Sequence, residues 1–162
     1  DGDRYGIKVE GIIRSNPWRI SILYGYGKYD NTGFIESSVK QPAGFLDDTE
    51  MGDADYQEDV YSVGIEYSYL LRKKRNRTKL QLSLADRHYQ TGRLPEIDPI
   101  HHGRRDIVIT STITTIMRVT TQIDFKVGAS VINRNSEASD PIVKQVKSYT
   151  RSIAWIEVSY EL

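Results

Sequence analysis

The sequence predicts an all-β fold: an antiparallel, up-and-down transmembrane β-barrel, with about seven strands visible in the 162 residues and at least one more expected. Three observations predict this class. Apolar and polar residues alternate with a period of two, which puts one set on each face of a strand. The alternating segments are about 10–14 residues long, whereas strands usually have about 5–6 residues and about 9–11 tilted residues cross a membrane. Short connections alternate with long ones, as in transmembrane barrels.

Seven segments carry the two-residue period and define the predicted strands. They are Arg4–Arg14, Trp18–Tyr29, Val60–Arg72, Lys79–His88, Asp106–Val119, Gln122–Asn133 and Ser148–Leu162. In the last segment Ile153 and Trp155 are out of phase, which predicts a bulge or a stretch that is apolar on both faces. No segment is a convincing amphipathic helix, so the strands are expected to be antiparallel and to connect without crossover helices.

The connections between these segments follow a regular order. The short ones contain SNPW, KKRN and RVTT, and the long ones are 30–59, 89–104 and 134–147. A soluble barrel or sandwich does not need such an order. A transmembrane barrel has tight turns on the inner side and longer loops outside, so the order favours a membrane.

The alternation alone leaves two interpretations of the apolar face, which either packs against a protein core or contacts lipid. Strand length favours lipid, and the polar face would then line a lumen. The residues predicted to face lipid are Ile20, Ile22, Tyr24, Val63, Ile65, Tyr67, Leu82, Leu84, Phe125, Val127, Val158 and Tyr160. The residues predicted to face the lumen are Lys8, Glu10, Arg19, Glu66, Arg72, Lys79, Gln81, Asp124, Lys126 and Glu157.

Aromatic residues stand near both ends of the predicted strands. Trp18 and Tyr69 would lie near the short turns, and Tyr26 and Tyr61 near the long loops. This distribution is typical of the two aromatic girdles of transmembrane barrels. The strand propensity of Tyr and Trp explains the same residues without a membrane.

The C-terminal segment AWIEVSYEL resembles the final strand of bacterial outer-membrane barrel proteins. The alternating apolar positions of that strand are filled here by Ile156, Val158, Tyr160 and Leu162. Leu162 departs from the pattern, because the family usually has Phe or Trp there. The resemblance implies the outer membrane of a Gram-negative-type bacterium, with the lipid bilayer and the barrel assembly machinery as partners.

The number of visible strands bears on the domain organisation. Bacterial barrels made of one chain have an even number of strands and both ends on the inner side. If the last strand runs inward, Arg4–Arg14 also runs inward and starts outside. We therefore expect residues 1–162 to be a single β-barrel domain or the C-terminal portion of one, completed by further strands or subunits.

Composition and motifs argue against several other kinds of site. Lys and Arg total 22, as do Asp and Glu, so the net charge is zero and predicts no nucleic-acid partner. The chain has no Cys, which excludes disulfides and thiolate metal ligands. We expect no metal and no cofactor, because His101 and His102 would point apart on an extended chain and the acidic stretch around Asp53 lacks the spacing of a calcium-binding loop.

Catalysis has one candidate residue, His88, which lies two residues from Asp86 near a strand end. Some outer-membrane lipid hydrolases resemble this in using a His near the outer rim, but they also need a nucleophilic serine. Ser83 is expected on the opposite face, so we expect no enzyme. The segment IHHGRR, residues 100–105, is expected to be a solvated basic patch that would be placed to pair with lipopolysaccharide phosphates.

Three functional hypotheses follow from these expectations. The first is an outer-membrane barrel that acts as a channel, an export conduit or a membrane anchor, with passive passage through a polar lumen. The second is a soluble, lipocalin-like β-barrel that binds a small apolar ligand. The third is an outer-membrane lipid-modifying enzyme that uses His88.

Overall fold

The structure, a computed structural model, describes residues 3–30, 56–90, 100–120 and 122–160, which form one antiparallel sheet and one short helix. The elements are β1 (Asp3–Ser15), β2 (Trp18–Asp30), β3 (Tyr56–Leu71), β4 (Lys74–Tyr89), β5 (Arg105–Arg118), β6 (Ile123–Glu137), α1 (Pro141–Lys147) and β7 (Tyr149–Tyr160). Strands neighbouring in the chain are neighbours in the sheet, and each such pair is antiparallel. The predicted all-β, up-and-down fold is thus confirmed, as an open sheet with β1 and β7 at its edges.

The strand register continues without an inserted residue through β7, including the stretch that is out of phase in the sequence. β7 pairs with β6 from Ile123 opposite Tyr160 to Arg134 opposite Tyr149. The alternative of a bulge is therefore wrong, and the stretch is apolar on both faces. Trp155 lies over Gly128, where a Cβ atom would stand 2.3 Å from a carbon of the indole ring. Only glycine leaves room for the ring at that position.

The three short connections join neighbouring strands at one end of the sheet, called here the turn end. Between β3 and β4 the turn consists of Arg72 and Lys73, with φ of 51° and 64°. Two central residues with positive φ form the kind of tight turn that matches the twist of a hairpin. The turn therefore precedes most of the KKRN segment, and β4 begins at Lys74.

The opposite end, called here the loop end, carries the helix, which the sequence analysis did not predict. In α1 the Asp140 side chain accepts a hydrogen bond of 2.7 Å from the Ile142 backbone N–H, and Pro141 opens the first turn. An Asp followed by Pro is a recognised signal for a helix start, so the signal was present. A helix of 7 residues is too short for its periodicity to be conspicuous.

Two expectations fall on residues that the structure does not describe. The acidic stretch around Asp53 and the C-terminal Leu162 lie outside the described residues. The final part of that acidic stretch, Glu58 and Asp59, belongs to β3.

Candidate functional site: the two faces of the sheet

One face of the sheet, called here the apolar face, is covered by hydrophobic side chains that are largely exposed. It carries all the residues predicted to contact lipid, namely Ile20, Ile22, Tyr24, Val63, Ile65, Tyr67, Leu82, Leu84, Phe125, Val127, Val158 and Tyr160. Ile22 is 58% exposed and Val158 65%. Among the described residues, the only buried hydrophobic side chains are Tyr89 and Val143. The described sheet therefore encloses no apolar core.

The apolar side chains form a band that crosses the strands obliquely. The register links Ile13 on β1, through Ile65 on β3, to Ala154 on β7. Ile13 is the last aliphatic residue of this face on β1, whereas Ala154 is the first on β7. The band thus shifts by about one residue, or about 3.3 Å, for each strand spacing of about 4.8 Å. This shift corresponds to a strand tilt of about 35°, close to the tilt of about 35–45° in barrels.

Aromatic rings cluster at both margins of this band. At the turn end, the rings of Trp18 and Tyr67 are 4.6 Å apart, and Tyr67 and Tyr69 are 5.9 Å apart. Towards the loop end, the rings of Tyr24 and Tyr61 are 5.2 Å apart, and the Tyr24 hydroxyl donates to Asp59 at 2.8 Å. The rings of both clusters lie along the apolar band, and the Tyr24 hydroxyl reaches a polar partner, Asp59, beyond the band. Aromatic residues at a membrane interface combine an apolar ring and a polar contact in this way.

The other face, called here the polar face, carries the residues predicted to line a lumen, with one exception. The register places Lys8, Glu10, Arg19, Glu66, Lys79, Gln81, Asp124, Lys126 and Glu157 on this face. Arg72 is the exception, because it lies in the turn between β3 and β4 and not on a strand. The prediction for Arg72 extended the alternation one residue past the end of β3.

On β2 to β6, the middle of the polar face is uncharged and rich in hydroxyl groups. Gln81 donates to the Ser62 hydroxyl at 3.1 Å, and the hydroxyls of Thr112 and Ser130 are 3.0 Å apart. These hydrogen bonds link β3 to β4 and β5 to β6 through side chains. The charged residues that these five strands carry on the polar face lie on either side of this zone, whereas Glu10 and Arg151 stand level with it on the two edge strands.

At the loop end, the polar face holds a buried charge cluster made of Tyr89, Arg104, Asp106 and Arg134. Asp106 is 0% exposed and Arg104 1%. The Asp106 carboxylate accepts from Arg104 Nε at 3.0 Å and from Arg104 Nη2 at 2.7 Å, and also from Arg134. The Arg104 guanidinium lies over the Tyr89 ring, 4.3 Å from its centre. One carboxylate thus bridges two buried arginines.

The chain around this cluster holds its members in place. Gly103, with φ of +63°, turns the backbone so that Arg104 N–H donates to His101 C=O at 3.1 Å. Tyr89 N–H then donates to Arg104 C=O at 3.0 Å, which fixes the turn against β4. On the other side, α1 contacts β6 and buries Val143 and Lys147.

This cluster corrects the expected solvated basic patch at residues 100–105. His101 and Arg104 are buried, and only part of the segment faces solvent. The sequence places Arg104 and Asp106 two residues apart, hence on one face of an extended chain. Their third partner, Arg134, is 28 residues from Asp106, so pattern reading did not find it.

His88 and Asp86 lie on the same face as the apolar band, beyond its loop-end margin. His88 Nε2 is 3.1 Å from Asp86 Oδ1, and Arg105 holds both Asp86 oxygens, at 2.9 and 2.7 Å. Gln57 and Arg105 stand opposite His88 in the register. Ser83 lies on the polar face opposite Ser62. The described strands therefore bring no serine opposite His88.

Among the described residues, no group of three or more His, Cys, Asp or Glu side chains could hold a metal ion. Within the same part of the chain, no helix has both the length and the apolar character that crossing a membrane requires.

The fold resembles part of a known outer-membrane protein. No protein-family model and no curated protein matches the chain. Among solved structures, it is similar to P. aeruginosa FpvA bound to a heterologous pyoverdine and iron, with a TM-score of 0.57 and 11% identity. The similarity covers 99% of this chain and 24% of FpvA, which is an outer-membrane receptor barrel. The likeness concerns the fold, and the chain spans about a quarter of the length of FpvA.

Proposed function

We propose that the chain forms part of the wall of a bacterial outer-membrane β-barrel and that solutes pass passively along its polar face. The apolar face contacts the lipid bilayer, and the polar face lines the lumen. Further strands or subunits pair with β1 and β7 and complete the barrel. Of the channel, export and anchor roles, a channel uses the polar face most directly.

The observation that carries the proposal is the exposed, slanted apolar band. A soluble lipocalin-like barrel would bury its apolar face around a ligand, but most of the large side chains of this band are exposed. The slant is that of strands tilted in a barrel, with the band perpendicular to the barrel axis. The strands that cross it are 12 to 16 residues long, enough to cross a bilayer when tilted.

The likeness to FpvA and the final strand support the same proposal. FpvA has an outer-membrane barrel, and this chain matches a portion of it in fold. The pattern of β7, with Val158 and Tyr160 on the apolar face, would serve recognition by the barrel assembly machinery. The proposal involves no enzymatic step, no cofactor and no metal. Lipopolysaccharide remains a candidate contact of the loop-end rim, through Arg105 and not through the buried Arg104.

The test replaces neighbouring residues on the two faces of β4. Leu82→Arg puts a charge in the middle of the apolar band, which in a bilayer destabilises a barrel by about 2–4 kcal/mol. Gln81→Arg puts the same charge on the polar face and is expected to change stability by less than about 1 kcal/mol. Stability is measured as the folded fraction in phospholipid vesicles, by heat-modifiable gel migration in a urea series. Equal effects of the two substitutions, or ready solubility of the wild type without detergent, would contradict the proposal.

A further inference from the structure

The polar face has an unusual arrangement of charge at the turn end. One register row places Arg14, Arg19, Glu66 and Lys79 side by side on β1 to β4. Arg14 stands directly opposite Arg19, and like charges in directly opposite positions are destabilising. Glu66 is the only acid in this row, against three cations. The arrangement leaves positive charge unbalanced.

Two more arginines extend this group towards the end of the sheet. Arg75 and Arg77 lie on β4, on the polar face, opposite Leu70 and Ser68. In the described part of the chain, Arg14, Arg19, Arg75 and Arg77 form no ion pair. The pair formed by Arg118 and Asp124, at 3.1 Å, lies beside them. Four guanidinium groups therefore face one region without carboxylate partners.

This region is a cavity of about 940 Å³ lined by all four arginines. Small-molecule sites commonly have volumes of about 300–1,000 Å³. The lining also includes Glu66, Ser68 and the ion pair of Arg118 with Asp124, so five arginines face two carboxylates. Guanidinium groups present planar, paired donors that match phosphate and carboxylate oxygens, and they keep their charge at any physiological pH. The chemistry of the cavity is thus that of a receptor for several anionic groups at once.

We propose that this cavity, called here the turn-end arginine site, binds a small molecule that carries two or more phosphate or carboxylate groups. The inference rests on the proposed function and gives it a solute class, because the site lies on the face that lines the lumen. A bound polyanion supplies the negative charge that the row lacks and relieves the repulsion between Arg14 and Arg19. Solutes of this class are concentrated at the turn end of the lumen.

The experiment measures binding to the full chain in detergent at low ionic strength by isothermal titration calorimetry. Pyrophosphate and citrate are the two probes, and they distinguish a preference for phosphate from one for carboxylate. The double variant Arg75→Gln/Arg77→Gln is expected to weaken binding of the preferred probe about tenfold or more, since charge-assisted hydrogen bonds are lost. Added salt at about 1 M is expected to abolish binding, because exposed charges are then screened.

The matched control is Lys8→Gln/Arg151→Gln, which removes two positive charges from the polar face outside the cavity. It is expected to change affinity less than about twofold. Binding also raises the thermal midpoint of the wild type increasingly as the probe concentration rises, and the shift is smaller at each concentration in the Arg75→Gln/Arg77→Gln variant. No binding of either probe, or equal losses in both double variants, would overturn the arginine site.

Flotation with phospholipid vesicles, measured on the same preparations, separates this inference from the proposed function. A protein that floats with vesicles but binds neither probe retains the barrel and loses the arginine site. A protein that binds a probe but does not float with vesicles contradicts the barrel, and with it the assignment of the site to a lumen. Gel migration before and after heating shows whether each variant is folded, so a misfolded variant is not counted as a loss of binding.

Discussion

The two ends of the polar face handle charge in opposite ways. At the loop end, Asp106 is fully buried between Arg104 and Arg134, and each guanidinium contacts it. At the turn end, Arg14 faces Arg19 across the strands, and the neighbouring cavity opens to solvent. A buried charge must be paired to be tolerated, whereas an exposed cationic group can be left for a ligand. The difference indicates that the loop-end cluster stabilises the fold, whereas the arginines of the turn end are available to bind the proposed ligand.

The largest expected effect belongs to the buried charge cluster. Asp106→Asn removes the carboxylate that Arg104 and Arg134 share in the buried cluster, and it should lower the free energy of unfolding by about 3–5 kcal/mol. Urea unfolding in vesicles measures the change. The matched control is Asp124→Asn, which removes the partner of the more exposed Arg118 and should cost less than about 1 kcal/mol. Comparable losses in the two variants would abolish the distinction between the two ends.

A second, smaller effect is expected where Trp155 lies over Gly128, in the row that also contains Arg14 and Arg19. Gly128→Ala places a methyl group against the indole and should destabilise the protein by about 1–3 kcal/mol. Gly11→Ala is the control, because its Cβ would stand 4.0 Å from the backbone oxygen of Ile22, at an ordinary contact distance. Adding Trp155→Ala to Gly128→Ala should remove most of the clash. Strictly additive effects in this double-mutant cycle would show that the ring does not occupy that place.

The smallest effect has the opposite sign. Arg14→Gln removes one of two like charges that stand opposite each other and should raise the free energy of unfolding by about 0.2–1 kcal/mol without added polyanion. Arg151→Gln, opposite the uncharged Ile132, should leave stability unchanged. The measurement needs low ionic strength, because salt screens exposed charges. Destabilisation by Arg14→Gln would mean that Arg14 already has a partner.

The strands and their faces could be predicted because they depend on a local pattern. Side chains alternate along an extended chain, so the faces of Ile22, Val63 and Lys126 follow from their positions in the sequence. The pattern fails where the backbone leaves the strand, as at Arg72. The pattern also cannot tell which residues belong to which face where both faces are apolar, as around Trp155.

The two charge groups were not predicted, because they depend on how strands pair and not on the pattern along one strand. Asp106 meets Arg134 only through the register of β5 with β6, and Arg14 meets Arg19 only through the register of β1 with β2. Because only a short turn separates Arg14 from Arg19, the pairing of these two residues could in principle be predicted from the sequence. The burial of Arg104 depends on a turn and a helix that carry little periodic signal.

The odd number of strands in the described sheet has a consequence for assembly. Because every neighbouring pair is antiparallel, β1 and β7 run in the same direction. Joining these two edges to each other would create a parallel ladder in an otherwise antiparallel sheet. Unpaired backbone groups are not tolerated in hydrocarbon. If the chain lies in a bilayer, as proposed, each edge would pair with a strand of opposite direction whose apolar residues continue the slanted band.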